Sequence, residues 1–210
     1  MPTLYVCQPP TVHPAGAGVA GAGSAAEPLS ASPDQRREVS FRLSAGLGYW
    51  YADFQHEPRM GSGASEASGF SGTGITTSIA IEGASSRNVS VFVELLGSFL
   101  RDPSVKSPFG FSGAWDGTYG LISIGPGVAH YFDRLDVYTS ATLTLTRLYG
   151  KMTDGQLGYG ANFAFGKEWW LSTSWRTGLI GGLQIAVDDD DYRGNTTSVV
   201  PSLRFSSTWE

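Results

Sequence analysis

The stretch GTYGLISIGPGVAHYFDRLDVYTSATLTLTRLYG, residues 117–150, decides the fold. It predicts two long β-strands joined by a tight turn at 133–136, because side chains on both sides of the turn alternate between two chemical kinds. One parity is apolar, and the other is small or hydroxylic. The apolar parity holds Ile122, Ile124, Val128 and Phe132 in the first strand, and Val137, Ala141, Leu143 and Leu145 in the second.

The small parity indicates what surrounds these strands. A solvated sheet face normally carries Lys and Glu, whereas residues such as Ser123, Gly125, Ala129, Thr142 and Thr144 occupy it here. Such side chains suit the narrow interior of an eight-stranded barrel, and the apolar parity would then face lipid. The alternative is a soluble carrier of small hydrophobic ligands, of lipocalin type, which has the same strand number with every strand inverted.

Composition supports the membrane interpretation. Only 16% of the 210 residues are charged, below the roughly 25% that is usual for soluble domains, while 28 are Gly and 12% are aromatic. No apolar run reaches the length of a spanning helix. The net charge of −5 provides no basic surface for nucleic acid, and the single cysteine, Cys7, cannot form an internal disulfide.

The pattern predicts two regions. Residues 1–37 hold six of the 11 prolines and an Ala/Gly run, so we expect a disordered tail or the remnant of a poorly formed export segment. Residues 38–210 form the barrel domain, an all-β, eight-stranded, antiparallel, up-and-down transmembrane β-barrel. Its predicted strands are 39–54, 75–84 and 89–100, the two strands of 117–150, and strands near 157–165, 174–187 and 198–209.

Several irregularities are expected along these strands. Pro126 and Pro201 each remove a ladder hydrogen bond, which predicts a β-bulge at both. The connection around Trp169 and Trp170 is longer than the alternation of short turns and long loops favours. The acidic run 188–191 resembles a cation site in composition only, and we expect a solvated loop there.

Charged residues on the inward parity are the candidate site. A charge in a narrow lumen must be paired, so we expect a structural ion network with Arg42 and Glu82 as neighbours on adjacent strands. Its five members are Arg42, Glu82, Glu94, Arg176 and Arg204. We expect no catalytic, cofactor or metal residues. The histidines are His13, His56 and His130, and a hydrolase would need one of them held rigidly beside a serine and an acid.

Four segments carry a family resemblance: IGPGVAHYF (124–132), LDVYTSATLTLTRL (135–148), GKEWW (166–170) and VVPSLRFSSTW (199–209). They resemble the second half of small outer-membrane β-barrel proteins of Gram-negative bacteria, of the OmpX, OmpW and opacity-protein type. The resemblance implies an eight-stranded barrel in the outer membrane, without enzymatic activity. We expect a monomer with a structural or surface-interaction role, in contact with membrane lipid and lipopolysaccharide. A surface partner would be bound through loops 55–74 and 101–116.

Overall fold

The computed structural model describes residues 39–54, 68–86, 88–106, 112–114, 116–132, 135–150, 157–190 and 194–210. The predicted tail, residues 1–37, lies outside this described part, and so do His13 and His56. Among the described residues, no helix is long and apolar enough to cross a membrane.

Eight long strands and two short ones make up the described structure. The long strands are β1 (Val39–Phe54), β2 (Ser68–Ala84), β3 (Val89–Arg101), β6 (Thr118–Phe132), β7 (Val137–Tyr149), β8 (Leu157–Ser172), β9 (Trp175–Asp190) and β10 (Gly194–Trp209). The short strands, β4 (Ser104–Lys106) and β5 (Ser112–Ala114), lie between β3 and β6.

The long strands close into a barrel. Each pairs antiparallel with its neighbours in the order β1-β10-β9-β8-β7-β6-β3-β2, and β2 pairs back onto β1, so the wall has no open edge. The strands are staggered around the barrel. A path that starts at Asp188 and steps from each residue to its paired neighbour returns to β9 at Gly178, so the stagger over one circuit is ten residues. The predicted eight-stranded antiparallel barrel is confirmed.

The apolar side chains point outward. Leu143 is 74% exposed and Leu203 is 63% exposed, whereas Thr142, on the neighbouring position, is 2% exposed. The soluble-carrier alternative requires the opposite arrangement, so it is wrong. An exterior of this kind is stable only in contact with lipid, because soluble proteins rarely expose continuous apolar surface of such extent.

The two ends of the barrel differ. One end, called here the turn end, carries the connections β2–β3, β6–β7 and β8–β9. The other, the loop end, carries β1–β2, β3–β6, β7–β8 and β9–β10. The expected long connection around Trp169 and Trp170 is wrong: β8 continues to Ser172, and only Thr173 and Ser174 separate it from β9. Both tryptophans therefore belong to the wall.

Part of the loop end forms strands that the sequence does not indicate. The segment 68–74 was predicted as loop, but it forms the first part of β2, paired with β1. Strand β4 pairs with β2 through Phe70↔Val105, and β5 pairs with β4. These pairings continue the β2 side of the wall beyond the end of β3.

Pro126 and Pro201 interrupt pairing without inserting a residue. In the β6–β7 ladder, Gly125 and Pro126 are unpaired between the pairs Ile124↔Leu145 and Gly127↔Thr142. The register is the same on both sides of this gap. The β1–β10 ladder has a similar gap beside Pro201. A proline removes one N–H but does not require an additional residue, so the expected bulges are absent from both positions.

Candidate functional site in the barrel lumen

The lumen near the turn end holds an ion cluster. Arg42 on β1 lies 3.3 Å from the Glu82 carboxylate on the adjacent strand β2, and 4.0 Å from Glu168 on β8. Glu82 also accepts hydrogen bonds from Ser90 and from the Tyr131 hydroxyl, the latter at 2.6 Å. Arg42 and Glu82 are both buried. One arginine thus links two acids on different parts of the wall.

Arg176 on β9 completes this cluster. Its guanidinium donates to Glu168 at 2.8 Å and lies 2.5 Å from the Glu210 carboxylate. Glu168 additionally accepts a hydrogen bond from Thr208 at 3.0 Å. The sequence reasoning did not find Glu168, because the GKEWW segment was assigned to a connection. Glu168 has the same parity as the inward residues Asn162 and Ala164, so extending that strand would have placed it in the lumen.

Aromatic rings enclose the two arginines. The Arg42 guanidinium carbon lies 4.9 Å from the centre of the Tyr138 ring, and that of Arg176 lies 5.0 Å from the Trp170 ring. Tyr131 and Tyr138 themselves pack with ring centres 5.3 Å apart. Cations are stabilised over ring faces, so the rings provide favourable contacts for the two buried guanidinium groups. A recess of about 20 Å³, enough for one water molecule, lies beside Glu82 and Arg176.

The middle of the lumen contains a second ion pair. Arg204 on β10 lies 3.6 Å from Glu94 on β3, and the Asn162 amide donates to Glu94 at 2.8 Å. The five charges predicted from inward parity are therefore divided between two groups. Arg42, Glu82 and Arg176 lie in the cluster at the turn end, and Glu94 and Arg204 form the pair in the middle.

Gln184 crosses the lumen. From β9 its amide accepts a hydrogen bond from Ser98 on β3 at 2.9 Å and donates one to Ser123 on β6 at 2.7 Å. Strands β3 and β6 lie on the far side of the barrel in the strand order. A side chain bonded to the opposite wall obstructs the lumen at this level.

An apolar cluster fills the lumen toward the loop end. Trp50 packs on Phe70 with ring centres 5.5 Å apart, and Phe70 packs on Tyr119 at 5.0 Å. Leu121 and Val200, buried to 0% and 2% exposure, belong to the same cluster. Side chains consequently occupy the lumen near the turn end, in the middle and toward the loop end.

Asp188 corrects the prediction of a solvated acidic loop. It lies inside β9 with 5% exposure and accepts a hydrogen bond from Thr146 at 2.9 Å. Among the described residues, no group of three or more His, Cys, Asp or Glu could hold a metal ion. His130 lies on the outer face, against the Phe132 ring at 4.8 Å.

No protein-family model matches the sequence, and no curated protein matches it. Among solved structures, the chain is similar to the outer membrane protein AlkL in lipid bilayers, with a TM-score of 0.51 and 16% identity over 88% of this chain and 96% of AlkL. It is also similar to OprG from Pseudomonas aeruginosa, with a TM-score of 0.47 and 10% identity over 81% of this chain and 96% of OprG. Neisserial surface protein A gives 0.47 and 17% identity, over 79% and 95% of the two chains.

The class of protein follows from the wall. A closed antiparallel barrel of eight strands, with an apolar exterior and an interior that contains buried ion pairs and hydroxyl groups, is a transmembrane β-barrel of the outer-membrane type. The resemblance to small outer-membrane barrels is confirmed at the level of the fold. Closed barrels with a lipid-facing exterior are the β-structures that cross outer membranes, so the chain is placed in the outer membrane, as predicted.

Proposed function

We propose that the protein is an occluded outer-membrane barrel that anchors its loop end at the cell surface, with a structural or surface-interaction role and without catalysis. The cross-lumen bonds of Gln184 support this most directly. The ion cluster occupies the lumen near the turn end, and the apolar cluster occupies it toward the loop end. A lumen filled in this way favours a rigid anchor over a pore.

The loop end is the part that this anchor would present. Outer-membrane barrels place short turns in the periplasm and longer loops outside, so the β2–β4–β5 extension would project from the cell. Its pairing gives part of the predicted interaction segment 101–116 a fixed backbone. A surface partner bound through this segment, contact with lipopolysaccharide and a monomeric state all remain part of the proposal.

Conductance measurements test the proposal. We expect the folded protein, reconstituted in planar lipid bilayers at neutral pH, to give no reproducible ion-current steps. Insertion is verified in the same preparation by protection of the barrel from an added protease. Discrete current steps that scale with the amount of inserted protein would contradict the occluded lumen, because a filled lumen has no path for hydrated ions.

A further inference from the structure

Asp188 differs from four other buried carboxylates of the lumen, each of which lies within 4.0 Å of an arginine. Glu82 lies beside Arg42, Glu94 beside Arg204, and Glu168 and Glu210 beside Arg176. Asp188 has no ion-pair partner within the described part of the chain, although it is 5% exposed. Buried charges are normally paired or bound to an ion, so this carboxylate requires an explanation.

The wall around Asp188 provides further oxygen atoms. The Thr146 hydroxyl on β7 donates to Oδ1, which leaves the lone pairs of the threonine oxygen available to another ligand. Asp188 Oδ2 is buried and has no hydrogen-bond partner among the described residues. On the neighbouring strand β10, Thr196 stands opposite Asp188 in the register, and the hydroxyl of Ser198 likewise has no partner there.

Gly158 creates the space for this arrangement. It lies between Asp188 and Thr146 on β8 and pairs with both. A Cβ atom at this position would collide with Asp188 Oδ1, and it would lie 2.7 Å from Thr146 Oγ1. The carboxylate and the hydroxyl therefore meet in a pocket that only glycine leaves open.

We propose that Asp188 and Thr146 bind a small monovalent cation of the Na⁺ or K⁺ class at the loop end of the lumen. A single positive charge neutralises a single carboxylate, and the nearby residues Ala186 and Leu148 belong to the apolar cluster. Carboxylate and hydroxyl oxygens are suitable ligands for such hard cations. Strand β9 ends two residues later at Asp190, so the site lies near the external medium. The proposal is independent of whether the lumen conducts.

Thermal unfolding of the full chain in detergent micelles tests this site. Unfolding is compared in NaCl, KCl and N-methylglucamine chloride at equal ionic strength, because the last cation is too large for the pocket. With the small cation at about ten times its dissociation constant, we expect a roughly tenfold lower unfolding equilibrium constant, which corresponds to about 3–6 °C in the midpoint. Asp188→Asn should fold and lose this difference, while Asp53→Asn, an acid on the outward parity at the same end, should keep it.

Two results would overturn the proposal. Equal midpoints in the three salts for the unmodified protein would show that no small cation is bound. An infrared band of a protonated carboxyl group at neutral pH, removed by Asp188→Asn, would show that the carboxylate is neutralised by a proton instead.

Discussion

Glu168 shows how much a single side chain contributes to the filled lumen. Its carboxylate contacts Arg42 at 4.0 Å and Arg176 at 2.8 Å, and it accepts the Thr208 hydroxyl. Removing one member of a buried ion pair usually costs more than the pair itself contributes, because the remaining charge stays buried. Glu168 therefore joins the two arginines of the turn-end cluster and compensates their buried charges.

Glu168→Gln is expected to destabilise the barrel by roughly 3–5 kcal/mol, because the amide keeps the size of the side chain but not its charge. Denaturant unfolding in detergent micelles measures the change. Arg101→Gln is the matched control: Arg101 is 85% exposed beside Asp102, so its loss should cost less than about 1 kcal/mol. Equal stability of Glu168→Gln and the unmodified protein would show that the cluster does not depend on this carboxylate.

Parity alone placed Arg42, Glu82, Glu94, Arg176 and Arg204 inside, but it missed Glu168 and Asp188. Glu168 was missed because the Thr173–Ser174 turn lacks the Gly, Asn or Pro that normally signals a two-residue hairpin. Asp188 was missed because four consecutive acids are typical of a solvated loop. Strand β9 continues to Asp190, so Asp188 shares the inward parity of Gln184. Its neighbours Gly158 and Thr146 are distant in sequence and are brought together only by strand pairing.

Strands β6 and β7 illustrate how one element accommodates local irregularity. Pro126 removes a ladder hydrogen bond, yet the two strands remain in register on both sides of the gap. Gly125, next to it, lets the strands approach closely, since a Cβ atom there would collide with the backbone carbonyl of Leu143. A backbone atom in a closed barrel cannot move aside as a flexible side chain can.

Gly125→Ala is expected to destabilise the barrel by roughly 1–3 kcal/mol, as overpacking does elsewhere in protein interiors. The measurement is the unfolding midpoint in detergent. Gly181→Ala is the control within the wall, because its nearest atom, the Phe165 carbonyl oxygen, would be 3.9 Å from the new methyl group. If both variants behaved alike, the close approach of β6 and β7 would be absent.

Strand existence could be predicted from alternation, whereas strand ends could not. The long hairpin 117–150 was recognised because both faces are chemically uniform over many residues. Residues 68–74 and the strands β4 and β5 were not, because their Gly and Ser content favours loops. Pairing with β1 and with each other holds them extended, and such distant pairing has no local signal.

The central property of the whole barrel is which side chains face outward and which face the lumen. Lipid on the outside accounts for the exposed Leu143 and Leu145, and a filled lumen accounts for the buried Thr142 and Thr144. The closed wall, the occluded interior and the membrane location all depend on this one arrangement. Inverting every strand would preserve the strand count but exchange the two environments.

Accessibility of spin labels along β7 tests this arrangement most directly. In a Cys7→Ser background, single labels at 142, 143, 144 and 145 are measured in lipid bilayers against oxygen, which dissolves in lipid, and a water-soluble nickel chelate. The structure predicts that oxygen reaches the labels at 143 and 145, which replace the 74% and 65% exposed leucines, while neither reagent reaches 142 or 144. Nickel access at 143 and 145, or oxygen access at 142 and 144 alone, would contradict a lipid-facing exterior.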